Sequence, residues 1–146
     1  ERPHRADRSE EAVAARPGPR WHPQDRAFYR RLRESLADCA RAEFELSARQ
    51  GDGATLRTHL QRLAKNTKEV DPLLTMEWPK AGRPLWDAFC KMGRPAGVSG
   101  PGELTSQEIL AYQQLWGVQF NRWELEVIHM FDGIAMEAQS RASQKT

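Results

Sequence analysis

Apolar residues recur at helical spacing through most of this chain, and nowhere do they alternate long enough to read as a strand. From Asp25 onward, Phe28, Leu32, Leu36, Cys39 and Leu46 share one side, while Arg26, Arg30, Arg33, Glu34, Arg41 and Glu45 take the others. This spacing predicts an amphipathic helix of about 24 residues. Gly51-Asp52-Gly53 ends it and leaves Asp52 or Thr55 to cap a second helix, marked by Leu56, Leu60 and Leu63 and running to about Asn66. Residues 67–81 hold Pro72 and Pro79 and have no period, so an irregular connection is expected. Leu73, Leu74, Met76 and Trp78 make it apolar enough to lie as a strap across the helices. Pro84 suits a first helical turn, Leu85, Trp86, Phe89 and Cys90 give that helix an apolar side, and Gly93 stops it. Residues 93–102 hold four Gly and two Pro, which reads as a loop or hinge extending to 103.

The strongest pattern spans 104–138, where the grammar of a helix start is written twice. Thr105 followed by Glu108 is a capping box, in which hydroxyl and carboxylate each satisfy a free backbone N–H. Leu104 and Ile109 flank it as a hydrophobic staple. Asn121, Glu124, Phe120 and Leu125 repeat the four roles, and Gly117 between them is suited to a left-handed helix end. A capped pair follows, with helices at about 106–116 and 122–139. Ile109, Leu110, Tyr112, Leu115 and Trp116 line the first; Trp123, Val127, Phe131, Ile134 and Ala138, flanked by Leu125, Ile128 and Met130, line the second. Such wide apolar stripes predict cover on more than one side of each. The fold class is all-α, a small bundle of about five helices, with one helical domain at 25–139 and a frayed polar tail at 140–146.

Residues 1–24 mix Arg, Glu, Ala and Pro without sustained periodicity and read as a mobile arm. Residues 9–15 could form a turn or two of helix within it, and Trp21 could anchor it. The formal net charge is +2, but it is unevenly spread: residues 1–50 carry 11 Arg against nine acids, whereas 104–139 carries one Arg against five acids. The capped pair is therefore acidic. No apolar run approaches the roughly 20 residues that span a bilayer and no signal peptide is visible, so a soluble, intracellular protein with no membrane partner is the expectation. Glu1 in place of Met leaves the true N-terminus open.

No catalytic constellation, metal site or cofactor site is expected. His4, His22, His59 and His129 lack ligand spacing to one another or to Cys39 and Cys90, and both cysteines fall on apolar faces as buried reduced thiols. His129 and Asp132, three apart, read as a surface ion pair. The glycines at 93–102 follow a helix and match no nucleotide fingerprint. The Gly117 turn admits a DNA-binding helix-turn-helix. Its second helix would bring Glu124, Glu126 and Asp132 against one Arg, the wrong sign for phosphate. The five tryptophans fill gaps between short helices, or else one or two stand exposed as anchors for a protein partner.

The segment Leu104-Thr105-x-x-Glu108-Ile109-x-Ala111-Tyr112-x-x-Leu115-x-Gly117-Val118-x-Phe120-x-x-Trp123-Glu124-x-x-x-Ile128-x-x-x-Asp132 resembles the C-terminal region of small helical proteins from the tail-morphogenesis modules of long-tailed bacteriophages and prophages. Leu85-Trp86-x-x-Phe89 is similar to a second element of that pattern, and the resemblance covers 84–136. Tyr112 stands where Trp is usual and Met136 where an aromatic is usual. The resemblance implies a non-enzymatic tail assembly chaperone or adaptor that holds the helical tape-measure protein and helps tail-tube subunits gather on it. Trp86, Phe89, Tyr112, Trp116 and Trp123 are the expected partner-binding residues. The resemblance also implies the bacterial host cytoplasm as the location, with virion association left open. A structural tail or neck component of the virion and a nucleic-acid binder are the alternatives, and homo-oligomerisation is left open.

Overall fold

The computed structural model describes residues 23–97 and 100–144. Helix α1 (Pro23–Ser47) leads to α2 (Leu56–Thr67), a 3-10 turn (Pro72–Thr75), α3 (Arg83–Lys91), a two-residue antiparallel pair β1 (Ala96–Gly97) and β2 (Gly100–Pro101), α4 (Ser106–Trp116) and α5 (Arg122–Gln144). Helix α1 begins two residues inside the arm expected at 1–24; the rest of that arm, its short helix at 9–15 and Trp21 lie outside the described residues. Helix α5 runs five residues past its expected end at 139, so the tail at 140–144 is its last turn, and 145–146 lie outside the described residues. Arg141 in that turn suits the negative end of the helix dipole.

The core sits where α1, α3 and α5 meet. Leu36 and Ala40 of α1, Leu85, Trp86 and Phe89 of α3, and Val127, Ile128, Phe131 and Ile134 of α5 are all buried. Spacings of four and three, as in Val127, Phe131 and Ile134, put these side chains on one stripe of each helix. Trp86 is the hub. Its ring lies 4.8 Å from Trp78 in a stacked pair, 5.1 Å from Phe131 edge-on, 5.5 Å from Phe89 and 5.6 Å from Phe44. Aromatic pairs at these separations add about 0.5–1.5 kcal/mol each beyond the area they bury.

The strap at 68–82 delivers Trp78 into this cluster and is tied down by the Cys39 thiol, which donates to the Glu77 carbonyl at 3.4 Å. Its Leu73 and Leu74 are half-buried, whereas Met76 is exposed. At its end the backbone of Gly82 crosses α1 so closely that a Cβ would come 1.9 Å from Leu36 Cδ2. Leu36 is fully buried and cannot swing away. In α2, Thr55 rather than Asp52 is the N-cap, its hydroxyl accepting from the Thr58 N–H, and none of the helix's residues is fully buried. Phe28, at the start of the α1 stripe, is 59% exposed.

Candidate functional site

The residues of the capped pair meet in a corner whose geometry follows from the two helix starts. Thr105 Oγ1 accepts from the Glu108 N–H at 3.2 Å, while the Glu108 carboxylate turns towards Gly93. At the second start both halves of the box form: Glu124 N–H donates to Asn121 Oδ1 at 2.9 Å, and Asn121 N–H donates to Glu124 Oε1 at 3.1 Å. Gly117 has φ +63° and ψ 32°, and Val118 N–H closes back on the Gln113 carbonyl at 3.1 Å, the Schellman ending that favours glycine. The Gln113 side chain accepts from Phe120 N–H at 2.8 Å, and Tyr112 stacks on Phe120 at 6.0 Å. The turn between the helices is thus held by its own side chains.

The five expected anchors do not share one surface. Trp86 and Phe89 are 8% and 6% exposed and belong to the core, because the stripe they form on α3 faces α5. Tyr112 and Trp123 are half-buried, Trp123 edge-on to Tyr29 at 5.1 Å. Trp116 is 56% exposed. The wide stripe of α4 is not covered on several sides, for only Ile109 is buried in that helix. Leu115 and Trp116 stand exposed at the end of α4 and Val118 just past its cap, while Leu110 is exposed on another side of the helix. Lys91, at the end of α3, places its ammonium 5.1 Å from the centre of the Trp116 ring.

Sequence reasoning missed the fastening behind this tip. Asp132 is buried and is not paired with the exposed His129. Its Oδ1 lies 2.6 Å from Arg94 Nη2, and its Oδ2 accepts from Leu104 N–H at 3.1 Å. Arg94 also donates to the Gly102 carbonyl at 3.1 Å and lies 5.1 Å over the Phe89 ring. The Gly/Pro loop is therefore clasped onto α5 at Arg94, Gly102 and Leu104. The available signal was a carboxylate at 132, one turn after Ile128 on an apolar stripe, with a lone Arg in the preceding loop.

Other chemistry-bearing groups are scattered. Cys90 is exposed rather than buried, since it lies beside the α3 stripe and not on it. Partial burial, Asp87 and Glu43 still raise its thiol pKa, and burial with Asp38 and Glu43 raises that of Cys39, so both favour the protonated form. His59 hydrogen-bonds Asp52 at 3.0 Å, which with the Ala54 N–H lowers the Asp52 carboxyl below its usual range. No group of three His, Cys, Asp or Glu among the described residues is placed to hold a metal. Among the described residues, no helix is long and apolar enough to cross a membrane. The helix-turn-helix reading is also poorly served, because α5 buries Val127, Ile128 and Phe131 and presents Glu126 and Glu137 outward.

A profile of phage tail assembly chaperones matches residues 63–137, just over half of the chain. The chain belongs to this family. The match starts in α2, upstream of the 84–136 that carry the resemblance, and takes in the strap, the core helix α3, the clasped loop and the capped pair. Comparison with curated proteins and with solved structures gives no match. Family membership supports a role in tail assembly, a non-catalytic role exercised on protein partners. Of α1, the family match includes nothing.

Proposed function

We propose that the chain holds an apolar helical segment of a tail protein, the tape-measure protein, against the tip of α4 during assembly. The observation that carries this reading is the exposed Leu115, Trp116 and Val118 at the end of α4, between 41% and 79% accessible and all within the family-matched segment. Three apolar side chains left in water at one helix end and its turn mark a site for association, where Trp beside smaller apolar neighbours forms an anchor. An amphipathic helix is the natural occupant, since its apolar stripe can cover such a tip while its polar face remains wet. The corner at Gly117 and the Arg94–Asp132 clasp keep the tip rigid, which reduces the ordering cost of binding.

Co-expression with the tape-measure protein of the same gene cluster tests the proposal. The partner is expected in the soluble fraction and in the co-purified complex, and a Trp116→Ala, Leu115→Ser pair is expected to lose most of it. A partner that stays insoluble or does not co-purify with the unaltered chain overturns the reading. So does stoichiometric recovery of the chain from finished particles, which identifies a structural tail component instead.

A further inference from the structure

A second surface, at the start of α5, has different chemistry. The N-terminal turns of α1 and α5 enclose a cleft of about 390 Å³. Arg26, Arg30 and Arg33 of α1 line one wall, at spacings of four and three that bring them onto one face of the helix. Arg122 and Trp123 of α5 line the other, and Tyr29 lies edge-on to Trp123 across the floor. Among the described residues Glu126 is the one acid in the lining, and it is taken up by Arg122 at 3.3 Å. Arg26, Arg30 and Arg33 have no carboxylate partner among the described residues.

We infer that this cleft binds an acidic helical segment of a partner protein, with carboxylates spaced to meet the three Arg of α1 and an apolar side chain set against Trp123. The charge pattern favours a short peptide over a nucleic acid. Arg26 to Arg33 spans roughly 10 Å at 1.5 Å per residue, and a helix with acids at matching intervals of four and three presents its charges over the same length. Duplex DNA carries a charge about every 1.7 Å along its axis and needs a long positive track. The track here is short and broken: the adjoining hollow sets Glu34 and Asp38 among Arg30, Arg33 and Arg41. Guanidinium groups meet carboxylates in two-point pairs, and the Trp123 indole supplies an apolar contact beside them. No α4 residue is among the described lining of the cleft, and its α1 wall lies outside the family-matched residues, so it would add a second kind of contact to those of the family segment.

The test uses the full chain and three fluorescent probes in anisotropy titrations at low and physiological salt. The first is a synthetic helical 18-mer with Glu at i, i+4 and i+7 and one Leu beside them; the second has Gln in place of those Glu; the third is a single-stranded 18-nucleotide DNA. The Glu peptide is expected to bind at least tenfold more tightly than the Gln peptide and the DNA, and to weaken as salt rises. Arg30→Glu with Arg33→Glu, or the milder Arg30→Gln with Arg33→Gln, should reduce its affinity at least tenfold, because both side chains are exposed and the helix does not depend on them. Leu115→Ser should leave it unchanged. Equal binding of the two peptides, tighter binding of the DNA, or indifference to both pairs of substitutions overturns the inference.

Discussion

Trp86 and Trp116 are the same side chain in opposite settings. Trp86, 8% exposed, is packed by four aromatic rings from α1, the strap, α3 and α5. Trp116, 56% exposed, touches Tyr112 at 6.1 Å and has Lys91 above it. At about 25 cal/mol per Å² on a side chain that buries up to about 250 Å², that difference leaves roughly 3 kcal/mol of burial unused at Trp116. A chain of this size has little stability to spare. The unused burial lies on a helix that gives the core a single buried side chain, Ile109, so partner association can draw on it without disturbing the fold. The division is physical: α1, α3 and α5 hold the molecule together, and α4 presents a surface.

Removing Trp86 should have the largest effect. Trp86→Ala empties the hub of the ring cluster and is expected to cost about 3–5 kcal/mol, read as a fall in the denaturant midpoint. A loss below 1 kcal/mol would mean that the core lies elsewhere. Next comes the clasp. Asp132→Ala leaves the Arg94 guanidinium without its 2.6 Å partner and Leu104 N–H without its acceptor. Breaking a buried pair costs about 3–5 kcal/mol, and because Arg94 keeps some solvent contact the expected loss is about 2–3 kcal/mol. Hydrogen exchange at Leu104 should rise with it. If the pair were only a surface contact, raised salt would abolish the difference between the variant and the parent chain.

The parts of this comparison differ in how far they could be read from the residues alone. Helix existence was legible because the 3.6-residue period survives in α1 and α5, and the two caps were legible because Thr105, Asn121 and Gly117 have few other uses in that spacing. Burial on α4 was not legible. Its apolar residues point to several sides, and periodicity cannot say which of those sides finds a neighbour. The same limit placed Trp86 and Phe89 among the anchors: an aromatic pair on a short helix reads alike whether it faces a partner or α5. The Arg94–Asp132 clasp joins residues far apart in sequence and emerges only when the loop is closed over α5. The basic cleft was half visible, since the Arg spacing on α1 is plain but the contribution of Arg122 and Trp123 depends on how α1 crosses α5.

A backbone contact gives a smaller, purely steric test of the core side. Gly82→Ala sets a methyl group against the fully buried Leu36. It is expected to cost about 1–3 kcal/mol, the range for forcing extra volume into a packed interior. Gly82→Ala combined with Leu36→Ala should then recover part of the loss caused by Leu36→Ala alone. Simple addition of the two losses would place the strap away from α1.

The smallest stability effect separates the two regions most sharply. Trp116→Ala and Leu115→Ser, singly or together, should change unfolding stability by no more than about 0.5 kcal/mol, as for substitutions on an exposed surface. Lys91→Ala should add at most about 0.5–1 kcal/mol through the lost ammonium–ring contact. The same Trp116 and Leu115 changes should nevertheless remove most of the partner from the co-purified complex. Stability and binding thus respond in opposite proportion at Trp86 and Trp116, and both must be measured on each variant. If Trp116→Ala destabilised the chain as much as Trp86→Ala, α4 would be part of the core, and the loss of partner would report unfolding rather than a lost contact. If Trp116→Ala left both stability and partner recovery intact, the exposed tip would be an ordinary surface and the partner would have to bind elsewhere.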